Sequence, residues 1–179
     1  QDVRPDVVVL WLSPNDSRSG LLPNNVASLE RYRLRIAECQ DVGPHTKIIP
    51  ALREYPDSFI VTADDDRCYP RGWLRRFVEE YRHSDEILCQ RAHRFTPEAP
   101  YADWPTLDGA DSGPAVFPLG YGGVMYPPGS LRPEVLDSAV FTKLCAKADD
   151  LWLYWMTREG CHRRLIKQAG PCPMWAGSQ

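Results

Sequence analysis

The chain has 179 residues, 43% of them hydrophobic and 25% charged, which is the size and composition of one globular domain with its own core. Its formal net charge of -3 and its scattered basic residues give no electrostatic reason to expect nucleic acid as a partner. No run approaches the ~20 apolar residues of a membrane-spanning helix, and six cysteines without zinc spacing favour reduced thiols in a cytoplasmic protein.

The first half of the chain alternates between strand and helix patterns. Residues 7–12 form a continuous apolar run, typical of a buried parallel strand. A polar loop is predicted at 15–23, a short helix at 24–32, and a second strand around Leu34 and Ile36, where apolar and charged residues alternate.

A further helix is predicted at 46–55, with Pro50 tolerated near its first turn, and a third strand at 58–62. The resulting β-α-β-α-β order predicts a Rossmann-like layered α/β domain.

In the second half, apolar spacing predicts an amphipathic helix at 73–81, and residues 87–89 form a short predicted strand. Residues 95–118 have an irregular pattern. The remaining predicted elements are a strand after Gly120, a helix at 150–159 ended by Gly160, and a last strand at 165–166. The chain has no internal repeat and no segment with the composition of a linker. This favours a single domain that spans residues 1–179.

Three consecutive aspartates, Asp64, Asp65 and Asp66, follow the third predicted strand. Adjacent carboxylates repel one another unless a cation offsets their charge. On an extended chain Asp64 and Asp66 point the same way, and Mg²⁺ and Mn²⁺ prefer carboxylate oxygens and substrate phosphates. The triad therefore predicts a divalent-cation site; the alternative is a strand-end turn in which one aspartate caps the next helix.

A second acidic pair, Asp149 and Asp150, opens the helix predicted at 150–159. A helix N-terminus stabilises a carboxylate and holds it rigidly, so such an aspartate suits the acceptance of a proton from a hydroxyl group. An ordinary N-cap followed by a first-turn acid explains the pair equally well.

Two further segments predict ligand contacts. A Gly-Pro turn leads into His45, Thr46 and Lys47, where free N–H groups, a hydroxyl and an ammonium suit an anion. The alternative is a plain helix start with a solvated lysine and a surface histidine. Gly122 and Gly123 lie in a Gly-rich turn, where the backbone either approaches a ligand closely or simply reverses direction.

In this order the segments resemble the bacterial glycosyltransferases of the GT-A fold, especially a polysaccharide-biosynthesis group near glycosyltransferase family 2. The resemblance runs from about residue 7 to residue 160. The aspartate motif alone is common, but the ordered combination is specific. The matching stretches are DVGPHTKIIPAL from Asp41, FIVTADDD from Phe59, YPRGWL from Tyr69, RAHR from Arg91, GYGGVMYPPGSL from Gly120 and LCAKADDLWL from Leu144.

The resemblance implies a Rossmann-like GT-A fold with a mixed central sheet flanked by helices. It implies an inverting, metal-dependent transferase that moves a sugar from a nucleotide-diphosphate donor to a hydroxyl of a saccharide or glycoconjugate acceptor. The expected donor is a UDP-sugar, and the expected cofactor is Mn²⁺ or Mg²⁺.

The resemblance also implies roles for single residues. Asp64–Asp66 is then the DxD motif, in which Asp66 ligates the metal, Asp64 lies by the donor and the metal, and Asp65 contacts substrate. Asp150, paired with Asp149, is the catalytic base. The remaining implied contacts are Lys47, His45, Thr46, Gly122 and Gly123 on the donor, Trp152 on a sugar ring, and His162 on the metal.

Members of this group usually begin with a strand and helix before the run matched by residues 7–12. The resemblance therefore predicts a form that lacks this first unit, either by N-terminal truncation or as a natural divergent form. A catalytically silent nucleotide-sugar or carbohydrate binding domain is the alternative function. A metal-dependent phosphoryl hydrolase is a third; it requires a nucleophilic carboxylate or a second set of metal ligands, which the sequence does not offer at suitable positions.

Overall fold

A computed structural model describes residues 1–14, 26, 28–83 and 85–174 of the chain. Within those residues the protein is of the mixed α/β class, with three sheets and four α-helices. The polar loop predicted at 15–23 lies outside the described residues, as do residues 24, 25 and 27 of the helix predicted at 24–32. The described end of that helix is a 3-10 turn, Ser28–Tyr32.

Strand β1 (Val8–Leu12) pairs in parallel with β2 (Leu34–Glu38), which confirms the first two predicted strands. The chain then crosses through a 3-10 turn, Gly43–Lys47, and helix α1 (Ile49–Glu54) to strand β3 (Ile60–Thr62). The predicted single helix at 46–55 is therefore split, because Pro50 has no N–H to donate to the carbonyl of residue 46.

Six more strands follow β3 along the described chain: β4 Glu86–Cys89, β5 Ala92–Arg94, β6 Asp111–Ser112, β7 Val116–Pro118, β8 Val124–Tyr126 and β9 His162–Leu165. The largest sheet has five strands in the order β3-β8-β4-β9-β6. Strand β8 is antiparallel to both β3 and β4, whereas β9 is parallel to β4 and antiparallel to β6. The two strands of the third sheet, β5 and β7, are antiparallel.

Helices cover both faces of the large sheet. Helix α2 (Trp73–Glu80) packs with Leu88 and Met125 on one face. Helices α3 (Ser138–Leu144) and α4 (Asp149–Trp155) pack on the other face, together with α1. Side chains alternate between the two faces along a strand. The sequence neighbours of Leu88 and Met125 therefore pack on the opposite face, with α1, α3 and α4.

Three sequence predictions differ from the structure. The predicted β-α-β-α-β run is not one continuous sheet, since no described residue of β1 or β2 pairs with β3. The helix predicted at 150–159 ends at Trp155, because Met156 and Arg158 form backbone hydrogen bonds with the segment 130–132. The last strand begins three residues earlier than predicted, at His162.

Gly123 is a position where this packing depends on the absence of a side chain. Its φ is +92°, and a Cβ atom there would lie 2.3 Å from the Trp73 ring. We expect Gly123→Ala to lower the free energy of unfolding by about 3 kcal/mol, since backbone strain and overpacking add. Gly129→Ala, at φ +68° in open space, is the matched control and should cost about 1 kcal/mol. Chemical denaturation measures both, and equal losses would contradict this reading.

Candidate functional site

One lysine joins carboxylates from two distant parts of the chain at the carboxyl end of β3. Asp64 follows β3, Lys47 ends the 3-10 turn of the crossover, and Asp149 opens α4. The Nζ atom of Lys47 lies 2.9 Å from Asp64 Oδ1 and 3.0 Å from Asp149 Oδ2. The fold therefore brings together both acidic motifs and the lysine that the sequence predicted as separate features.

Asp150 is held beside this cluster by the backbone. The N–H of Gly120 donates to its carboxylate, with both oxygens 3.0 Å from the nitrogen. A Cβ atom on Gly120 would lie 2.8 Å from Asp150 Oδ1 and 2.9 Å from Lys47 Nζ. With a side chain at this position, the carboxylate and the ammonium would have to shift. Ligand contacts were predicted at Gly122 and Gly123 but not at Gly120, the first glycine of the same turn.

Burial and charge act in opposite directions on the two central groups. Burial alone would lower the pKa of Lys47, but the charges of Asp149 and Asp64 outweigh it and raise that pKa. Burial, followed by the charge of Asp149, raises the pKa of Asp150 to about 6, although the Gly120 N–H and Lys47 favour its ionised form. The site thus combines a permanent cation with a carboxylate that titrates near neutrality.

Tyr69 fixes the end of β3 against the Gly-rich turn. Its hydroxyl accepts a hydrogen bond from the N–H of Asp64 at 2.8 Å and donates to the Tyr121 carbonyl at 3.2 Å. Burial raises the pKa of Tyr69 to about 12, so the phenol stays protonated and keeps donating. Tyr69 was not predicted as a site residue, although it begins YPRGWL, one of the stretches in which the sequence resembles the family.

The other two members of the triad are more accessible. Asp65 is exposed, and half-buried Asp66 lies 3.5 Å from Arg67 Nε, measured from Oδ1. Asp64 and Asp66 carry the hard oxygen donors that suit Mg²⁺ or Mn²⁺, yet the described residues contain no group of three or more His, Cys, Asp or Glu side chains suited to a metal. By themselves the described residues therefore supply no more than one or two carboxylates to a cation, which would need its other ligands from phosphate and water.

The structure places two of the predicted contact residues, His45 and Trp152, in the core. His45 is fully buried, stacks on Phe141 with ring centroids 4.3 Å apart, and places Nε2 2.9 Å from the Cys145 carbonyl. Trp152 is also buried, and its indole N–H donates to the Val135 carbonyl. Neither ring has a face open to a ligand.

Three further predicted residues serve the framework of the site. The Thr46 hydroxyl accepts a hydrogen bond from the Val42 N–H at 3.2 Å and so closes the turn that carries Lys47. Gly122 and Gly123 are buried; the Gly122 carbonyl accepts the indole N–H of Trp73 at 2.9 Å. Their lack of side chains accommodates Trp73 and Arg91.

His162 does not reach the triad. Strands β3, β4 and β9 run in one direction, because β8 is antiparallel to the first two and β9 is parallel to β4. Asp64 follows the end of β3, whereas His162 begins β9. The two residues therefore lie at opposite ends of these strands, and this placement gives no support to the predicted role of His162 as a metal ligand.

Comparisons with known proteins assign no family. No protein-family model matches the chain, and the search of curated proteins found no similar sequence. No helix among the described residues has the length and apolarity needed to cross a membrane. The class that the fold and site define is a mixed α/β protein with a lysine-centred carboxylate cluster at a strand end.

The raised pKa of Asp150 makes stability depend on pH. An aspartate in the unfolded chain ionises near pH ~3.9, so between pH ~4 and ~6 the native state holds a proton that the unfolded state has lost. This contribution to stability is present at low pH and disappears as pH rises through about 6. As pH rises from 4 to 7.5, we expect the free energy of unfolding of Asp150→Asn to increase by roughly 2–3 kcal/mol relative to that of the parent. Denaturant unfolding at the two pH values measures this change. Exposed Asp108→Asn controls for the substitution, and a difference independent of pH would contradict the assignment.

Lys47 supplies the only counter-charge within salt-bridge distance of Asp149 among the described residues. Removing one partner of a largely buried pair leaves the other uncompensated. We expect Lys47→Met to lower the free energy of unfolding by about 3 kcal/mol at pH 7.5 and by less at pH 4, where Asp150 is protonated and the cluster carries less negative charge. Exposed Lys143→Met should be nearly neutral. An equal loss from Lys47→Met at both pH values would point to packing instead of charge.

Proposed function

We propose that this chain is a metal-dependent glycosyltransferase domain of the GT-A kind. It transfers a sugar from a nucleoside-diphosphate donor, a UDP-sugar, to a hydroxyl of a saccharide or glycoconjugate acceptor. The observation that carries the proposal is the position of Asp150, a largely buried carboxylate with a pKa of about 6, beside the Lys47–Asp64 pair at the end of β3. The segments that form this cluster are also those in which the sequence resembles the family.

Asp150 has the properties of a general base. Above pH ~6 it is mostly ionised and able to take the proton of an acceptor hydroxyl. The Gly120 N–H orients the carboxylate. Asp149 supports the same role, because its charge raises the proton affinity of Asp150 while its own side chain remains paired with Lys47.

The donor is expected at the other side of the cluster. A cavity of about 610 Å³ runs along residues 62–66 and the turn that carries Lys47, which is within the usual size of small-molecule sites. Asp66, with Asp64, would hold Mn²⁺ or Mg²⁺ there, and the ion would offset the charge of the departing diphosphate. Asp64 itself is oriented by Lys47 and by the Tyr69 hydroxyl.

The proposal predicts that Mn²⁺ with UDP raises the melting temperature, because a ligand that binds only the native state stabilises it by about 2.7 kcal/mol at 100 times its Kd. Asp66→Ala should abolish the metal-dependent part of this increase. Asp57→Asn is the matched control and should leave the increase in melting temperature intact. Asp57 is exposed and lies before β3, whereas Asp66 lies after it. A screen in which no nucleoside diphosphate gives a metal-dependent increase would contradict donor binding.

Asp150→Asn separates a transferase from a silent binding domain. We expect this variant to keep the rise in melting temperature with Mn²⁺ and UDP. It should lose the activity that the parent has on its UDP-sugar, whether that activity is sugar transfer or slow hydrolysis. In the parent, kcat/KM should fall as pH drops below ~6, where Asp150 is protonated. Nucleotide binding without turnover in the parent would favour the silent domain, and unchanged turnover in the variant would exclude Asp150 as the base.

A further inference from the structure

A small cavity lies between Asp150 and the core of the protein. Its volume is about 10 Å³, which is the space that one buried water molecule needs. The apolar side chains of Ile87 and Leu153 form part of its wall, and the polar side chains of Asp150, Tyr126 and Thr157 form another part. Asp150 is half-buried, whereas the others are buried. Asp150 therefore connects the cavity with the candidate site.

Tyr126, at the end of β8, is a buried tyrosine in this wall. The residue is 3% exposed, and its hydroxyl forms no hydrogen bond with the residues that the structure describes. Buried tyrosine hydroxyls usually have a hydrogen-bond partner. Burial, followed by the charge of Asp150, raises the pKa of Tyr126 well above its usual value. The phenol therefore stays protonated and available as a donor, and the charge that acts on it most strongly is that of Asp150.

The donors of the other polar residues around the cavity are already used. The Tyr154 hydroxyl donates to a backbone carbonyl at 2.7 Å, and the Arg163 guanidinium donates to three backbone carbonyls at 2.7 to 3.4 Å. The Thr157 hydroxyl donates to a carbonyl one turn earlier at 3.3 Å, which leaves its oxygen free to accept. A molecule in the cavity thus meets one donor, Tyr126, and two acceptors, Asp150 and Thr157.

We infer that the cavity is a site for one water molecule, which accepts a hydrogen bond from the Tyr126 hydroxyl and donates to the Asp150 carboxylate. A buried water typically forms about three hydrogen bonds, and the Thr157 hydroxyl is the third partner. The Gly120 N–H already holds the same carboxylate from the backbone. Tyr126 is therefore a positioning residue that acts on Asp150 through the water. Its importance for sugar transfer rests on the proposed function, in which Asp150 is the base.

The water also affects the ionisation of Asp150. A hydrogen bond donated to a carboxylate favours the charged form, so this donor lowers the pKa of Asp150. A change of Tyr126 to phenylalanine keeps every other charged or titratable group that acts on Asp150 or lies around it. These groups are Asp149, Lys47, Asp64, Arg163, Tyr101 and Cys89.

Tyr126→Phe removes the hydroxyl and keeps the ring. We expect the pKa of Asp150 to rise by about one pH unit, because the carboxylate loses a donor. Carbon-13 NMR titration of its carboxyl group, assigned with Asp150→Asn, measures this without any substrate. Tyr154→Phe is the matched control. Tyr154 lines the same cavity, but its hydroxyl is bonded to the Pro114 carbonyl, so the pKa of Asp150 should not change.

Kinetics separate this inference from the proposed function. In an active parent, the midpoint of the pH profile of kcat/KM should rise in Tyr126→Phe by the same amount as the pKa of Asp150, and should stay in place in Tyr154→Phe. A parent without sugar transfer would contradict the proposed function alone, because the NMR titration still decides whether Tyr126 acts on Asp150.

Three results would overturn the inference. The first is an unchanged pKa of Asp150 in Tyr126→Phe. The second is an equal rise in Tyr154→Phe, which would point to packing around the cavity. The third is a high-resolution crystal structure without a water within ~3.2 Å of both the Tyr126 hydroxyl and an Asp150 carboxylate oxygen. The crystal structure of the parent decides the question even if Tyr126→Phe does not fold.

Discussion

The charge of Lys47 is the interaction on which the geometry of the site depends. Asp64 and Asp149 come from different elements, and their carboxylates would repel each other without a cation between them. Lys47 lies within 3.0 Å of both. Its ammonium loses hydration through burial, and the two carboxylates more than compensate for that loss, as the raised pKa of Lys47 indicates. A single side chain from the crossover therefore links the start of α4 to the end of β3.

The same arrangement gives two adjacent carboxylates different partners. Asp149 is paired with Lys47, whereas Asp150 is turned toward the backbone of Gly120. Hydrogen bonding by one N–H offsets burial only in part, so the pKa of Asp150 lies near 6. Neighbouring carboxylates that lie in different environments are a common basis for acid–base chemistry. Gly120 is essential to the arrangement, because any side chain there would meet both Asp150 and Lys47.

Local patterns predicted the elements, and long-range packing decided the contacts. The apolar run at 7–12, the alternation around Leu34 and Ile36 and the helical spacing at 73–81 are clear local signals, and all three elements are present. Helix α3 was not predicted, because Phe141 is its one buried residue and a single buried position gives no periodicity. The acidic motifs were visible as sequence, but their meeting at Lys47 requires the whole crossover. The burial of His45 and Trp152 depends on Phe141 and Val135, which lie far away along the chain, so their residue types alone gave no sign of it.

The shortness of β3 limits how firmly the sheet alone can hold Asp64. This strand has three residues and pairs only with β8 among the described residues, yet it carries Asp64 at its end. A functional group is held most precisely when its strand is fixed on every side. Here two side chains add to the strand pairing: the Tyr69 hydroxyl accepts a hydrogen bond from the Asp64 N–H, and the Lys47 ammonium donates to the Asp64 carboxylate. The position of Asp64 therefore depends on contacts from outside the sheet as well as on the pairing of β3.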